Sequence, residues 1–405
     1  MLGKRARSRF LRFNLFQFKI ENPNFYIVQR FPPFRPRVNA RPLHSTRYFA
    51  MLLGRRFRMS LFILPLFLAA CASGGAKPAR LGAWVTYWDY NRGIDSVRSA
   101  PSLLNDIYFF AAHLDSEGAP VFANKNIPFN LEAGRVKEGN ALPWLTVVND
   151  VKPSAGGAVI LKDPQVIHDL LSDPDRRRQH RSEIVRLAAT HGFAGVDIDY
   201  ENLRAVDRDL FSLFIRELAA DLKQKGILLS VTVQPKARES RADGPGAADW
   251  ADLCRSADRL QIMLYNLHSG KSGPGPIATP AWIKEILQFA ESQCPRERVV
   301  PILKVSGMKW GGEHAEGVQY DRAASLAEAH RAEILRDPNG NVPYFIYTDA
   351  GGRHTVYYED AESLMEKIAA LESFGYRNVV FWSLGRQDPE FLPRLAERSG
   401  RKTGR

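Results

Sequence analysis

The body of this 405-residue sequence has no tandem repeat, no low-complexity segment and no glycine-rich phosphate-binding loop. The missing phosphate loop after the first predicted strand argues against a doubly wound nucleotide-binding sheet. The apolar run from Ser60 to Ala70 has about 11 residues, too few to cross a bilayer as a stable helix. What remains is a globular chain long enough for one large domain or two smaller ones.

The formal net charge of +12 does not describe the body of the protein. Residues 1–70 hold 14 Lys or Arg and one Asp or Glu, and the rest of the chain holds 42 basic and 43 acidic residues. Because the basic character belongs to the N-terminal leader, the charge gives no reason to expect a nucleic acid as partner.

The leader changes character at Met51. Residues 1–50 are rich in Arg, Phe and Pro without a helical or strand period, and we interpret them as a non-structural extension upstream of a start at Met51 or Met59. An Arg-rich transit peptide is the alternative. Residues 51–70 combine three arginines with the short apolar run, which is typical of an export signal.

The end of this signal, Leu68-Ala69-Ala70-Cys71, resembles the lipobox of bacterial lipoproteins. The resemblance implies that Cys71 is lipidated and becomes the new N-terminus, and an ordinary secretory signal is the alternative. Residues 71–80 then form a linker. Since no Asp follows Cys71, the resemblance favours a lipid anchor in the outer membrane, facing the periplasm.

Eight short apolar runs alternate with amphipathic stretches from residue 81 onward. This alternation predicts parallel strands joined by helices, as in a TIM (β/α)8 barrel over residues 81–395 with a tail at 396–405. A doubly wound sheet is the second choice. The predicted strands are Gly82–Tyr87, Ile107–Ala112, Leu142–Val148, Gly195–Glu201, Ile227–Val233, Leu260–Tyr265, Val299–Val305 and Asn378–Ser383.

The spacing between the last two predicted strands is unusually long. Within this insertion region, residues 306–376, the segments Pro343–Thr348 and His354–Tyr358 alternate around a Gly-containing turn. The pattern predicts a β-hairpin. We expect it to stand at the top of the barrel and to form one wall of a cleft.

The fourth predicted strand carries three acids at alternate positions, Asp197, Asp199 and Glu201. In a strand these side chains share one face, and like charges at short range raise each other's pKa. A raised carboxyl pKa suits a general acid that stays protonated near neutral pH. The alternatives are a solvated acidic face and a metal site, although no His accompanies the acids.

The run from Ala194 to Glu201 closely resembles the fourth-strand signature DGxDxDxE of glycoside hydrolase family 18, with Ala194 where the signature has its first Asp. Leu260–Asn266 is similar to the family's sixth-strand Met-x-Tyr-Asp motif, with Asn266 in place of Asp. Val380–Gly385 is similar to the eighth-strand end. Residues 355–363 resemble the spore-cortex-lytic, peptidoglycan-acting branch.

The resemblance implies substrate-assisted hydrolysis without a metal or other cofactor. Glu201 would be the general acid and base, Asp199 would hold the substrate acetamido group, and Asp197 would tune Asp199. Tyr265 would donate to the acetamido carbonyl, and Trp382 would form the floor of the −1 sugar subsite. Further candidates for sugar contacts, taken from their places at strand ends, are Tyr87, Trp88, Asn149, Gln234, Asn266 and Trp310.

Two cysteines, Cys254 and Cys294, lie in the body of the chain. Each comes near the end of a helical stretch and shortly before a predicted strand, so both would lie at the bottom rim of a barrel. In an oxidising compartment they could form a disulfide. Two buried free thiols are the alternative.

We therefore expect an exported, lipid-anchored glycosidase that cuts β-1,4 bonds after N-acetylglucosamine. Peptidoglycan is the first substrate expected, and chitin or chitooligosaccharide is the second. The alternative is a non-catalytic, chitinase-like glycan-binding lipoprotein of the cell envelope. Such proteins usually lack the acid found here at Glu201, so its presence favours catalysis.

Overall fold

The computed structural model describes residues 79–153, 157–311 and 314–401. The export signal and Cys71 lie outside these ranges. The described strands are β1 (Arg80–Thr86), β2 (Asp106–Asp115), β3 (Pro120–Phe122), β4 (Leu142–Lys152), β5 (Gly195–Asp199), β6 (Leu228–Val233), β7 (Arg259–Met263), β8 (Val299–Lys304), β9 (Gly307–Trp310), β10 (Glu316–Val318), β11 (Leu335–Asp337), β12 (Val342–Asp349), β13 (Gly352–Tyr357) and β14 (Asn378–Trp382).

Helices separate most of these strands. They are α1 (Tyr90–Ser99), α2 (Phe129–Glu138), α3 (Pro164–Ser172), α4 (Pro174–Thr190), α5 (Arg208–Lys223), α6 (Trp250–Ser256), α7 (Pro280–Gln293), α8 (Tyr320–Ala329), α9 (Ala361–Ser373) and α10 (Phe391–Arg398). Within the described residues no helix has both the length and the apolarity that a membrane crossing requires.

Eight parallel strands close into a barrel in the order β1, β2, β4, β5, β6, β7, β8, β14 and back to β1. Each corresponds to one of the eight predicted runs, so the predicted TIM barrel is confirmed. All six residues of β8 are buried, because one face packs into the barrel interior and the other under the helices.

The helices pack on the barrel through apolar stripes. In α5 the buried residues include Phe211, Phe214, Leu218 and Leu222, which recur at helical spacing and form one face. Acidic N-caps mark where helices begin: the Asp163 side chain accepts from the backbone N–H of Gln165 at the start of α3.

The bottom of the barrel, where the parallel strands begin, is closed by an ion network around Asp106. The carboxylate accepts hydrogen bonds from Arg80 Nε at 2.7 Å and from the Trp144 indole at 2.8 Å. Arg259 lies 3.1 Å from the same carboxylate and donates to the Tyr108 hydroxyl at 2.7 Å. Charges from β1, β2 and β7 are thus paired at this end.

One glycine of the acidic run has a clear packing reason. A Cβ added to Gly195 would lie 2.2 Å from the Trp144 ring, a distance that the packed interior cannot accommodate. The indole of Trp144 cannot retreat easily, because it is bonded to Asp106. Gly195 therefore allows β4 and β5 to lie side by side next to this tryptophan.

A second sheet follows β8, with strand order β10, β9, β13, β12, β11. Its centre is the predicted hairpin: β12 and β13 pair antiparallel out to Asp349 and Gly352, which leaves a two-residue turn. Met308 and Trp310 of β9 pack with side chains of the barrel interior. Since β9 starts directly after the C-terminal end of β8, this sheet lies at the top of the barrel.

A disulfide joins Cys254 in α6 to Cys294 at the end of α7, with 5.8 Å between the Cα atoms. Both residues come shortly before barrel strands, β7 and β8. The bond therefore links two neighbouring helix ends on the side of the barrel where those strands begin.

Candidate active site

Glu201 lies just beyond β5, at the top of the barrel. The strand ends at Asp199, two residues earlier than the sequence predicts, and the amide of Asn149 on the neighbouring β4 takes over the pairing. The Glu201 backbone N–H donates to Asn149 Oδ1, and Asn149 Nδ2 donates to the Glu201 carbonyl, both at 2.9 Å. Asn149 thus fixes the main chain of Glu201 instead of capping a loop.

Asp197 lies deeper in the barrel and is fully buried. One of its oxygens accepts hydrogen bonds from Ser230 Oγ at 2.5 Å, Thr232 Oγ1 at 3.0 Å and Gln261 Nε2 at 3.0 Å. These donors come from β6 and β7, so the neighbouring strands hold Asp197 below Asp199. Asp197, Asp199 and Glu201 therefore lie successively closer to the top of the barrel, as the sequence predicts.

Ala194, the departure from the family signature, lies at the other end of this strand. Its N–H donates to the Pro143 carbonyl and its own carbonyl accepts from Leu228, so it continues the backbone ladder. The substitution therefore falls at the bottom of the barrel, away from the acids.

A lysine from the loop after β4 lies among the acids. Lys162 Nζ is 3.0 Å from Glu201 Oε1, 3.7 Å from Asp199 Oδ2 and 3.9 Å from Asp150 Oδ1. The ammonium also lies 5.4 Å from the centre of the Phe110 ring, within the range of a cation–π contact. Sequence analysis did not identify Lys162 or Asp150.

The loop conformation holds the lysine in this place. Lys162 has a positive φ of 52°, and its backbone N–H donates to Asp150 Oδ1 at 3.0 Å. The next residue, Asp163, donates its N–H to the Asn149 carbonyl and caps α3. The same short segment of β4 therefore positions both Lys162 and Glu201.

Burial dominates the ionisation of the acids. It raises the pKa of Glu201 to about 8, with Asp199 adding to the rise and Lys162 opposing it. The pKa of Asp199 is also raised, chiefly by burial, against the charge of Lys162. Burial and the charge of Asp199 raise the pKa of Asp197 to about 7, although Ser230 and its neighbours oppose this. A carboxyl with a pKa near 8 is protonated at neutral pH.

The acids also raise the pKa of Lys162. Burial alone would lower it, but the charges of Asp199, Glu201 and Asp150 outweigh burial and keep the ammonium protonated. In the part of the chain that the structure describes, no group of three or more His, Cys, Asp or Glu is placed to hold a metal ion.

Several buried polar atoms at this end of the barrel have no hydrogen-bond partner. Buried polar groups are almost always paired in folded proteins, so unpaired atoms concentrated in one place indicate where a polar ligand binds. Within the described residues these atoms include Glu201 Oε2, Asp199 Oδ1, Gln234 Oε1, Asn266 Oδ1 and Lys304 Nζ.

Aromatic side chains form the adjoining surface. Trp382, at the end of β14, packs edge-on against Phe110 with 5.0 Å between ring centres, and against Trp88 at 6.4 Å. Tyr87 lies 4.9 Å from Trp88. Trp88 is 39% exposed, so the cluster reaches solvent. The structure thus brings together Tyr87, Trp88 and Trp382 from the predicted set.

The other predicted residues lie around the same interior. Tyr265 and Asn266 follow β7, and Tyr265 packs in one cluster with Trp382 and Trp310. Trp310 reaches it from β9 and donates its indole N–H to the Ser269 carbonyl at 3.0 Å. Gln234 follows β6 and lies 3.5 Å from the Asn202 side chain, on the side of the acids.

The family model for glycosyl hydrolases family 18 matches residues 85–388, most of the chain. The chain belongs to this family. The match covers the whole barrel except the first residues of β1. The acidic run that resembles the family signature lies within the matched residues.

Relatives of this family 18 protein include the cortical fragment-lytic enzyme of Bacillus subtilis, which is 27% identical over 229 residues. The alignment covers 55% of this chain and 53% of the relative, so the chain spans about half the length of that protein. The likeness supports the cortex-lytic branch of the family.

Solved structures of other proteins share this barrel fold. The chitinase of Chromobacterium violaceum ATCC 12472 has a TM-score of 0.69 and 22% identity, over 80% of this chain and 99% of that one. The spore cortex-lytic enzyme SleL of Bacillus cereus has a TM-score of 0.69 and 21% identity, over 80% and 75%. At this identity the likeness concerns the barrel alone.

Proposed function

We propose that this glycosidase hydrolyses β-1,4 bonds that follow N-acetylglucosamine, using the substrate's own acetamido group as nucleophile and retaining the anomeric configuration. The observation that carries the proposal is Glu201. Its carboxyl is buried at the top of the barrel, its pKa is raised to about 8 and its Oε2 lacks a hydrogen-bond partner. A protonated acid of this kind is ready to donate.

In the first step Glu201 gives its proton to the glycosidic oxygen. The bond from the anomeric carbon to that oxygen breaks, while the acetamido carbonyl oxygen attacks the same carbon from the opposite face. The product is an oxazolinium ion and a free hydroxyl on the leaving sugar. A positioned acid contributes on the order of 10²–10⁴ to the rate.

Asp199 has the position needed to stabilise that ion. It is two residues before Glu201 in the chain and is close enough to influence its ionisation. We assign it the acetamido N–H, and we assign the acetamido carbonyl to Tyr265. Asp197, held by Ser230, Thr232 and Gln261, fixes the charge beneath Asp199.

In the second step water attacks the anomeric carbon and opens the oxazolinium ring. Glu201, now ionised, accepts a proton from that water, which restores the acid and leaves the β-anomer. Two inversions at the same carbon give net retention. The aromatic rings of Trp382 and Trp88 suit the apolar faces of sugars beside this carbon.

Peptidoglycan is the substrate that we propose first, and chitin oligomers are the second. Support comes from the relative named for lysis of cortical fragments. A cortex-lytic enzyme shares the fold. The structural likeness to a chitinase is equally close in TM-score, so fold does not separate the two substrates.

Mass spectrometry of the products tests the reaction. The purified enzyme should release fragments with N-acetylglucosamine at the reducing end from peptidoglycan, and NMR taken early in the digest should show the β-anomer. Glu201→Gln protein is the control and should release none. Fragments ending in the other sugar, or an initial α-anomer, would contradict the proposal.

We also propose that the protein is exported and anchored by a lipid on Cys71, which would hold it beside an envelope glycan. The support is the sequence from Arg55 to Cys71. A Cys71→Ser variant should move from the membrane fraction to the soluble fraction, with a Cys254→Ser, Cys294→Ser double variant as the matched control. Unchanged fractionation of Cys71→Ser would refute the anchor.

A further inference from the structure

Lys304 is a lysine inside the barrel that the proposed reaction does not use. It is the last residue of β8, and Val300 and Ile302 before it pack in the interior cluster with Tyr265 and Trp382. Side chains alternate along a strand, so Lys304 points to the same interior at its upper end.

The neighbouring strands fix Lys304 between two residues of the proposed sugar site. β8 lies between β7, which leads to Tyr265, and β14, which ends at Trp382. Trp382 is the direct backbone partner of Lys304, and the N–H of Val305 donates to the Trp382 carbonyl at 2.8 Å. The lysine Nζ lies 6.0 Å from the centre of the Tyr265 ring.

The ammonium of Lys304 has no charge to pair with among the described residues. Its Nζ has no hydrogen-bond partner, and the described ion pairs do not include it. Burial is the cause of its lowered pKa, and no carboxylate offsets that burial. Lys162 is the opposite case, since three carboxylates lie within 4 Å of it.

The burial of Lys304 does not exclude contact between its ammonium and the substrate. Its exposed fraction is 2%, the same as for Glu201 and Tyr265, which are the residues that we assign to the reaction. Burial to this degree therefore does not by itself exclude contact with a ligand. The partner that best satisfies a lone ammonium is a carboxylate, through a charge-assisted hydrogen bond.

We propose that Lys304 is a specificity determinant that binds a carboxylate carried by the glycan. The inference rests on the proposed function and names its substrate more closely. Chitin carries no charge. Because the proposed cut follows N-acetylglucosamine, that sugar occupies the −1 subsite and muramoyl residues occupy the subsites next to it. Muramoyl residues carry a lactyl group, whose carboxylate is free when no stem peptide is attached and is a neutral amide when one is.

The preferred substrate is then a glycan strand without stem peptides. Its formation requires hydrolysis of the amide bond between the lactyl group and the first residue of the peptide. The class of reaction that supplies this enzyme is therefore amide hydrolysis, and the glycosidase acts after it.

Three oligosaccharides of equal length test the inference. The first, the free acid, alternates N-acetylglucosamine and N-acetylmuramic acid and has free carboxylates. The second, the amide, is the same oligomer with those carboxylates converted to amides, and the third is a chitin oligomer. We expect kcat/KM of the wild type to be about tenfold or more higher for the free acid than for the amide, as for a hydrogen bond between charged groups. Lys304→Met should bring this ratio close to one, and Lys304→Arg should keep most of it.

Lys223→Met, an exposed lysine at the end of α5, is the matched control and should keep the wild-type ratio. A Lys304→Met enzyme that loses activity equally on all three oligomers, or a wild type with no preference for the free acid, overturns the inference and leaves the proposed function standing. A wild type that hydrolyses none of the three overturns the proposed function itself. Circular dichroism checks that each variant is folded. If Lys304→Met does not fold, Lys304→Arg is the second variant for the test.

Discussion

The two ends of the barrel differ in how fully their buried charged groups are paired. At the bottom, the carboxylate of Asp106 is bonded to Arg80 and Trp144 and lies 3.1 Å from Arg259. At the top, Glu201 Oε2 and the Nζ of Lys304 have no hydrogen-bond partner. Both ends belong to one fold and one set of strands, so the difference is a property of the side chains placed there.

This difference indicates that the bottom of the barrel contributes stability and the top contributes function. Paired charges at the strand beginnings hold β1, β2 and β7 together. Unpaired polar atoms at the strand ends cost stability until a ligand satisfies them. This division is usual in TIM barrels, where the active site lies at the C-terminal ends of the strands. Substitutions at the two ends should therefore change different measurable quantities.

Glu201→Gln should produce the largest effect. It keeps the shape of the side chain and removes the proton that cleaves the bond, so kcat/KM on an N-acetylglucosamine oligomer should fall by about 10²–10⁴. The free energy of unfolding should not fall, because Asn149 holds the backbone of residue 201 and not its carboxyl. Exposed Glu297→Gln is the control. Activity within about tenfold of wild type would exclude the assigned role.

Asp106→Ala, at the bottom of the barrel, should lower the free energy of unfolding and leave activity unchanged. Removing the carboxylate leaves Arg259 and Arg80 without their partner, and breaking a buried ion pair costs about 3 kcal/mol of the free energy of unfolding. Urea denaturation measures this, with exposed Asp95→Ala as control. The kcat/KM of the folded fraction should stay at the wild-type value. A loss of activity without a loss of stability would show that the two ends are not separate.

Lys304→Met should stabilise the protein. The pKa of Lys304 falls from its ordinary 10.5 to about 8 on folding, because burial disfavours the ammonium. Both states are protonated below pH 8, where the folded state carries the full cost of burying the ammonium, on the order of 3 kcal/mol. Between pH 8 and 10.5 the unfolded state binds more protons, so this contribution makes wild-type stability rise with pH.

Denaturation of the wild type, Lys304→Met and Lys223→Met at pH 7 and pH 9.5 measures that contribution. The stabilisation by Lys304→Met should be largest at pH 7 and smaller at pH 9.5, while Lys223→Met should match the wild type at both. A Lys304→Met protein less stable than the wild type at pH 7 would mean that the lysine is paired after all.

Lys162→Met should have the smallest effect, seen in the pH dependence of kcat/KM. The positive charge of Lys162 lowers the pKa of Glu201, so its removal should raise that pKa by about one unit. Activity falls as pH rises through the pKa of the acid, and this basic limb should move to higher pH. Lys152→Met, exposed at the end of β4, is the control. A limb that stays in place or moves to lower pH would refute the electrostatic role.

Regular patterns made the barrel predictable from the sequence. The eight strands are apolar runs in a chain that alternates β and α units, and closure follows from their number. The hairpin was also predictable, because alternation on both sides of a Gly-containing turn leaves few other structures. The acids of the fourth strand were recognised by spacing alone, and their place at the top followed from the fold.

Lys162 was not predictable in this way. Its loop after β4 has no period, and its place depends on a positive φ and on contacts with Asp150 and Asn149 that only the folded chain brings together. Lys304 did leave a signal, since it is a lysine in step with the interior-facing residues of an apolar strand. That position predicts a buried charge, but whether the charge is paired depends on side chains from distant parts of the sequence.

Asn149 binds residue 201 through main-chain atoms only. Any residue with a backbone N–H, which excludes proline, could make the same two bonds from that position. A single mutation in the codon for Glu201 could therefore turn an enzyme of this kind into a glycan-binding protein with the same fold and the same site. In evolutionary terms, this clamp makes catalysis easy to lose while recognition of the glycan persists.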